Sequence, residues 1–393
     1  MEKLLLIGID TRSMLNSALK LDYELYSASY FSTSDTPTIK NQKILLMESE
    51  GESCGSFEEN YNPKHILELS EDFIDEADHI IAISGISPND FKKNDQKKIL
   101  GNRDVGYIEN KFKFYEKIKG EFLTPMTFHI NDIDEALEIN KNYPNNQFIL
   151  KPLQGSGGYD INILNKDSYF ELNDNEFIMQ EYIKGINLSS SVLSTTYEAK
   201  NITNSRLLTV NDFKNNNDFR YVGNILPLTN KSILSEINGF DSLSNTMKKT
   251  SENLIKKFNL IGSNGVDFIL NEKGLYVIEI NPRIQGTFEC VEKTFGINML
   301  EAHIKACKGE IIKIPHPKYY SYKKIIYSPS RMKYQKMNLD NIYDLPHTES
   351  ITEKNEPLLT IIDKDKDFEK LYQKVELTSK IVNEESKKHQ LDE

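Results

Sequence analysis

The stretch from Gly265 to Arg283 constrains this chain more than any other. Gly265-Val266-Asp267-Phe268-Ile269-Leu270 and Tyr276-Val277-Ile278-Glu279-Ile280-Asn281 are rich in β-branched and aromatic residues, and Asn271-Glu272-Lys273-Gly274 between them has turn chemistry. The pattern predicts an antiparallel hairpin. Side chains two apart on a strand share a face, so Glu279 and Asn281 project together. With the turn spanning Glu272 to Gly274, Asn271 stands opposite Leu275 and Asp267 opposite Glu279. Two carboxylates and one amide then share one face. Carboxylates crowded in an apolar hairpin repel one another unless a cation intervenes. Such a hard-oxygen set suits Mg²⁺ bridging a polyphosphate. The competing reading is a solvent-facing polar side of a sheet. Val266, Phe268, Val277, Ile278 and Ile280 weaken it, because they ask for burial. Arg283 follows at once, a permanently charged planar fork suited to phosphate oxygens, ahead of the loop Ile284-Gln285-Gly286-Thr287. A surface arginine after a proline turn is the plainer alternative.

A second signal is Lys151-Pro152-Leu153-Gln154-Gly155-Ser156-Gly157-Gly158. A strand over Gln147 to Lys151 delivers a lysine, and a loop with three glycines and a serine follows. Glycines adopt positive φ and let backbone N–H groups approach an anion closely. The lysine precedes the glycines, so this is not a P-loop. Alone, such a loop is more often a tight turn. A third signal is Gln180-Glu181-Tyr182-Ile183-Lys184-Gly185, at the end of a strand over Phe177 to Gln180. Backbone groups near Tyr182 and Ile183 suit an adenine edge, with apolar side chains around the ring. A strand leaving the core is the alternative.

The N-terminal part reads as a small open α/β domain. Apolar runs at Lys3–Ile9, Ile44–Met47 and His79–Ser84 predict buried parallel strands, with a helix over Ser13–Lys20. Gly8-Ile9-Asp10-Thr11-Arg12 then sits at a strand C-terminus, as a substrate-side loop or a plain strand-to-helix turn. Further strands are expected over Leu188–Ser194 and through Thr209 and Arg220 to Leu228, with helices over Asp241–Phe258 and Asn298–Cys307. The excess of 59 Asp and Glu over 48 Lys and Arg gives a net charge of −11, which disfavours nucleic acid and anionic lipid as partners. Cys54, Cys290 and Cys307 are too few and too scattered for a disulfide framework. The run Leu4-Leu5-Leu6-Ile7 is too short for a signal segment and no stretch is as long as a membrane span, so a cytoplasmic location is expected. The seven histidines are scattered and are expected to be structural or surface residues.

Taken in order, Lys151 with its glycines, then QEYIKG, then D…EINPR, the chain resembles the ATP-grasp superfamily, in particular its carboxylate–amine ligases and biotin carboxylase-like members. The resemblance runs from about Lys111 to Gly309. It implies a pre-grasp α/β domain over 1–95, a two-lobed ATP-grasp domain over 96–310 with lobes meeting near 180, and a C-terminal β-rich module with a charged helix over 311–393. By that resemblance Lys151 and Lys111 hold ATP phosphates, with Lys113 competing for the second place. Gly155, Ser156, Gly157 and Gly158 close over the phosphates, and Glu181, Tyr182 and Ile183 form the adenine hinge. Asn187 stands near the position where members usually carry a ribose-binding acid. Asp267, Glu279 and Asn281 bind Mg²⁺, or Mn²⁺ in its place, and Arg283 stabilises an acyl phosphate. Arg206 and Arg220 are the carboxylate-binding candidates, weighed against ordinary salt bridges.

The implied activity is ligation of a small-molecule carboxylate to an amine or amino acid, with ADP and phosphate released. Family habit also implies a homodimer. The alternatives are a carboxylase-type subunit activating bicarbonate and a nucleotide-binding module without catalysis. Phosphotransfer to a hydroxyl is a further reading, and it differs in needing no amine.

Overall fold

The computed structural model describes residues 1–46, 61–83, 85–155, 157–164, 176–214, 217–232 and 240–391. Its N-terminal part is a parallel sheet of β1 (Lys3–Gly8), β2 (Glu24–Ser29), β3 (Asn41–Ile44) and β4 (His79–Ala82), ordered β3-β2-β1-β4. Leu4, Leu5, Leu6 and Ile7 are fully buried because β1 lies inside this sheet with both faces covered. The helix Arg12–Ala18 starts directly after β1. Two expectations need correction. The third strand in chain order is Asn41–Ile44, not the apolar run from Ile44, whose far end lies outside the described residues. It is a half-buried edge strand, and edges need no continuous apolar run. The interior strand β2, ELYSAS, was not expected at all, since small polar residues mask its burial.

A second sheet is antiparallel and ordered β5-β8-β6-β7, from β5 (Thr127–Ile130), β6 (Phe148–Pro152), β7 (Asn162–Ile163) and β8 (Phe177–Glu181). The helices Lys111–Ile118 and Ile133–Asn142 accompany it.

Among the described residues the largest sheet has eight strands. It is built from β9 (Ile186–Ser194), β10 (Ala199–Thr209), β11 (Tyr221–Leu226), β12 (Gly262–Asn271), β13 (Gly274–Asn281) and β14 (Tyr320–Tyr327). Beyond the short β15 (Met332–Lys333) it regains β16 (Ile342–Tyr343) and, after β17 (Ile351–Thr352), β18 (Pro357–Asp365). The order is β13-β12-β9-β10-β11-β14-β18-β16, while β15 pairs with β17 apart from it. The C-terminal strands are therefore continuous with the large sheet through β11 and β14. The helix Phe240–Lys257 buries Met247, Leu254 and Ile255 against β9 and β12. The helices Phe288–Phe295 and Met299–Cys307 share a core with Leu4, Leu6, Met14 and Leu15, which fixes the first sheet against the large one. Among the described residues no helix is long and apolar enough to cross a membrane.

His303 pins that junction. It is 3% exposed, and Nδ1 accepts the backbone N–H of Ser263 at 2.9 Å while Nε2 lies 3.0 Å from the Leu100 carbonyl oxygen. A carbonyl only accepts, so the ring is neutral with its proton on Nε2. Burial pushes its pKa down to about 4. The unfolded chain takes up this proton near pH 6.5, so the contribution of the neutral ring is full above that pH and fades as pH falls toward 4. The whole effect amounts to about 3 kcal/mol. Urea midpoints should fall between pH 7 and pH 4.5, and His303→Gln should flatten that decline; equal slopes for the two proteins would remove His303 from the account.

Candidate active site

The β12–β13 hairpin places Asp267 directly opposite Glu279, as expected, by a different route. Asn271 pairs with Gly274 and Leu270 with Leu275, so the turn holds two residues, Glu272 and Lys273. The expected pairing of Asn271 with Leu275 is corrected. A bulge at Ile278, between the pairs Phe268–Val277 and Asp267–Glu279, adds back the residue the tighter turn saves. From there the register is regular, Val266 with Ile280 and Gly265 with Asn281, so Glu279 and Asn281 share the face of Asp267.

Asp267 also pairs across to Ser189 on β9. The Ser189 hydroxyl donates to Asp267 Oδ1 at 2.6 Å, and Asn281 Nδ2 donates to Oδ2 at 2.9 Å. This fixes the Asn281 amide with its nitrogen on Asp267 and leaves its oxygen for another ligand. Burial, and then the Glu279 charge, push Asp267 up to about 7, against the pull of these two hydrogen bonds. Among the described residues no three His, Cys, Asp or Glu side chains gather around one point. Two carboxylates and an amide oxygen instead suit Mg²⁺, which keeps most of its shell for phosphate and water.

Cations face this anionic edge. Lys151, at the end of β6, is 3% exposed, and burial and then Lys111 push its pKa down to about 8, with Glu279 opposing. Lys111 opens a helix whose cap is Asn110, its side chain accepting from the Lys113 N–H at 2.9 Å. The Lys111 N–H donates to the Leu153 carbonyl at 3.0 Å and its Nζ to the Gly155 carbonyl at 2.8 Å. Burial lowers its pKa, Glu279 raises it and Arg283 lowers it again. Buried cations that depress one another call for an anion between them.

Lys111, Lys151, Asp267, Glu279, Asn281 and Arg283 all line one cavity of about 400 Å³. Gly155, Gly157, Gly158 and Asn187 line it too, while Lys113 does not. Gly158 has a φ of +78°, and a Cβ there would lie 2.0 Å from the Phe219 carbonyl oxygen. The Tyr221 N–H donates to the Gly157 carbonyl at 2.9 Å, so the glycine loop rests on the start of β11. Ser156 lies outside the described residues.

Other candidates fall elsewhere. Glu181 accepts from the Met126 N–H at 3.3 Å and from Asn146 Nδ2 at 3.0 Å, and the Tyr182 N–H donates to the Gln147 carbonyl at 2.7 Å. Together with the buried Ile183, these residues lie outside the cavity lining. Arg206 is paired with Asp212 and donates to the Asn187 carbonyl at 2.8 Å. Arg220 holds Asp218 through Nε and Nη2, donates to the Asn355 carbonyl at 2.7 Å and lies 4.7 Å from the Tyr327 ring centre. Neither arginine lines the cavity.

Sequence reasoning gave no role to Gln285 beyond a loop, nor to Gly265 beyond a strand start. Gln285 Nε2 donates to the Ser189 hydroxyl at 3.2 Å, and its Oε1 accepts from Ser191 at 3.1 Å. It thereby braces the serine that holds Asp267. A Cβ on Gly265 would lie 1.7 Å from Gln285 Nε2, so only glycine leaves the space. Glu109, raised by burial with Arg283 opposing, lies near the site without lining the cavity.

Residues 108–287 match the model of an ATP-grasp domain. An uncharacterised protein of Methanocaldococcus jannaschii is 29% identical over 92% of this chain and 88% of its own length. Tyramine–L-glutamate ligase of the same organism is 29% identical over 39% of this chain and 41% of its own. The biotin carboxylase domain of Hydrogenobacter thermophilus 2-oxoglutarate carboxylase, solved with MgADP and bicarbonate, superposes with a TM-score of 0.67. It is 15% identical and covers 95% of this chain and 88% of that one. The chain therefore carries an ATP-grasp domain on an ATP-grasp fold, as the order of its motifs implied.

Gly265→Ala should displace Gln285 and cost about 1–3 kcal/mol of stability, as overpacking does. It should also weaken Mg²⁺-dependent nucleotide binding, with Gln285→Ala in the same background restoring part of the stability. A Gly265→Ala protein with unchanged melting and nucleotide affinity would show that this packing is not needed.

Proposed function

We propose that the protein is an ATP- and Mg²⁺-dependent ligase that activates a small-molecule carboxylate as an acyl phosphate and joins it to an amine. The observation that carries this is the pairing, in one cavity, of the Asp267–Glu279–Asn281 edge with Lys111, Lys151 and Arg283. A carboxylate attacking a γ-phosphate brings two anions together, so charge must be neutralised first. Lys111 and Lys151 bind and orient the phosphates, and Arg283 faces the charge that develops on the phosphoryl oxygens. Asp267, Glu279 and Asn281 would hold Mg²⁺, which would supply charge neutralisation. The Gly155–Gly158 loop shields the phosphates from water, which protects an acyl phosphate from hydrolysis. The amine nitrogen then bonds to the acyl carbon, the carbon–oxygen bond to phosphate breaks, and the nitrogen loses a proton. The name of the tyramine–L-glutamate ligase, a partial relative, gives that protein an amine and a carboxylic acid as partners, which supports the same class here.

ADP release should be measured with Mg²⁺-ATP across a panel of carboxylic acids, with and without amines, and with bicarbonate as a separate arm. Hydroxylamine should trap the acyl phosphate as a hydroxamate without any added amine. Glu279→Gln and Arg283→Ala should each lower hydroxamate formation by about 10²–10³-fold while leaving the thermal midpoint near that of the parent. ADP release that depends on bicarbonate alone would move the activity to the carboxylase class, and full activity in both variants would overturn the site.

A further inference from the structure

A second cavity, of about 310 Å³, opens between the C-terminal ends of the first sheet and the strands β14 and β18. That volume sits at the lower end of small-molecule pockets, which start at about 300 Å³. Phe31, Ile325, Ile351 and Leu358 supply apolar wall, and Asp10, from the turn after β1, is among its charged lining. The ATP cavity adjoins it. Gly286 and Thr287 line that first cavity, Glu289 lines the second, and Lys323 Nζ of the second donates to the Gly286 carbonyl at 3.3 Å.

The charges in this cavity do not balance. Among the described residues Asp10, Glu289 and Asp344 line it with Arg12 and Lys323 as the cations, while Glu356 on its rim accepts the Glu353 backbone N–H at 2.7 Å. Arg12 is 1% exposed and fully committed, with Nε donating to Asp344 at 2.6 Å and Nη1 and Nη2 to the two Glu289 oxygens at 2.9 and 3.0 Å. Lys323 divides itself between the Gly286 carbonyl and Glu289, 3.8 Å away. Among the described residues Asp10 accepts one hydrogen bond, from the Arg12 backbone N–H to Oδ1 at 3.0 Å, and feels the Arg12 charge without bonding to its guanidinium. Burial, and then the Asp344 charge, push its carboxyl up to about 7, which marks the same shortage of positive charge.

We propose that this cavity binds the amine substrate and selects a primary ammonium group carried on a compact apolar body, with Asp10 as the anionic partner. The assignment to the amine rests on the ligase reading; the preference for an organic cation rests on this cavity alone. An anionic substrate meets Asp10, Glu289 and Asp344 here, and a neutral one leaves the Asp10 charge with no new partner. Arg12 is the positioning residue. Its side chain ties Glu289 and Asp344 together, and its backbone N–H orients Asp10.

The full-length protein should be titrated without nucleotide at pH 7.5 with 2-phenylethylamine, 2-phenylethanol and 3-phenylpropionate, whose ring suits Phe31 and whose end groups differ in charge. The amine should bind about tenfold or more tightly than the alcohol, the worth of one charge-assisted hydrogen bond. The carboxylate should bind weakest. Asp10→Asn keeps the acceptor for the Arg12 N–H and should erase the preference for the amine over the alcohol. Ile351→Trp should weaken all three ligands by filling the cavity. Equal binding of amine and alcohol, or a preference that survives Asp10→Asn, would overturn the proposal. Hydroxamate trapping reports the ligase reading separately, because hydroxylamine needs no ammonium site. Its failure in the parent protein alongside selective amine binding would remove the ligase and leave the cation site standing.

Discussion

Asp267 and Glu279 face each other across a hairpin whose Val266, Phe268, Val277 and Ile280 are buried, and much of the site follows from that placement. Two carboxylates side by side in a poorly hydrated cleft are unfavourable unless hydrogen bonds and cations offset them. Ser189 and Asn281 supply the hydrogen bonds, and Gln285, admitted by Gly265, braces Ser189. The cations come from the other side of the cleft, where burial lowers the pKa of both Lys111 and Lys151, and the Lys111 charge lowers Lys151 further. Each cluster is unfavourable alone, and in the proposed function a polyphosphate and a divalent metal offset both.

The fold serves this arrangement. The antiparallel sheet that ends in Lys151 and the large sheet that carries Asp267 meet across the cavity, so the two charge clusters sit on separate scaffolds. The first sheet is locked to the large one through a shared core around Leu6, Leu15, Phe295 and Leu300. That junction sets the turn after β1 against β14 and β18 and creates the second cavity beside the first.

The hairpin and its facing carboxylates were legible because a burial pattern interrupted by charged residues is rare and physically costly. The bulge at Ile278 was not, since its side chain is as ordinary in a regular strand as in a bulge. The turn length was misjudged by one residue and the bulge cancelled the error, so the right pairing came from a wrong register. β2 went unseen because Ser27 and Ser29 are completely buried, and polarity hides burial when hydroxyls are small enough to fit a sheet face. Arg206 and Arg220 show the opposite failure. Substrate binding was weighed there against an ordinary salt bridge, and Asp212 and Asp218, six and two residues away, take them up. Nearby acids were the signal that should have tempered that reading. The second cavity needed the tertiary structure, since Arg12 and Asp344 lie 332 residues apart.

The account turns on direct attack of a carboxylate oxygen on the γ-phosphate within the cavity of Lys151 and Glu279. The most direct measurement follows oxygen. The protein is incubated with Mg²⁺-ATP, an amine pool and carboxylic acids labelled with ¹⁸O in the carboxyl group, and the released phosphate is weighed by mass spectrometry. An acyl phosphate requires that one labelled oxygen pass from the acid to phosphate. ADP formed together with wholly unlabelled phosphate would contradict the account, because ATP would then be cleaved without activating the acid.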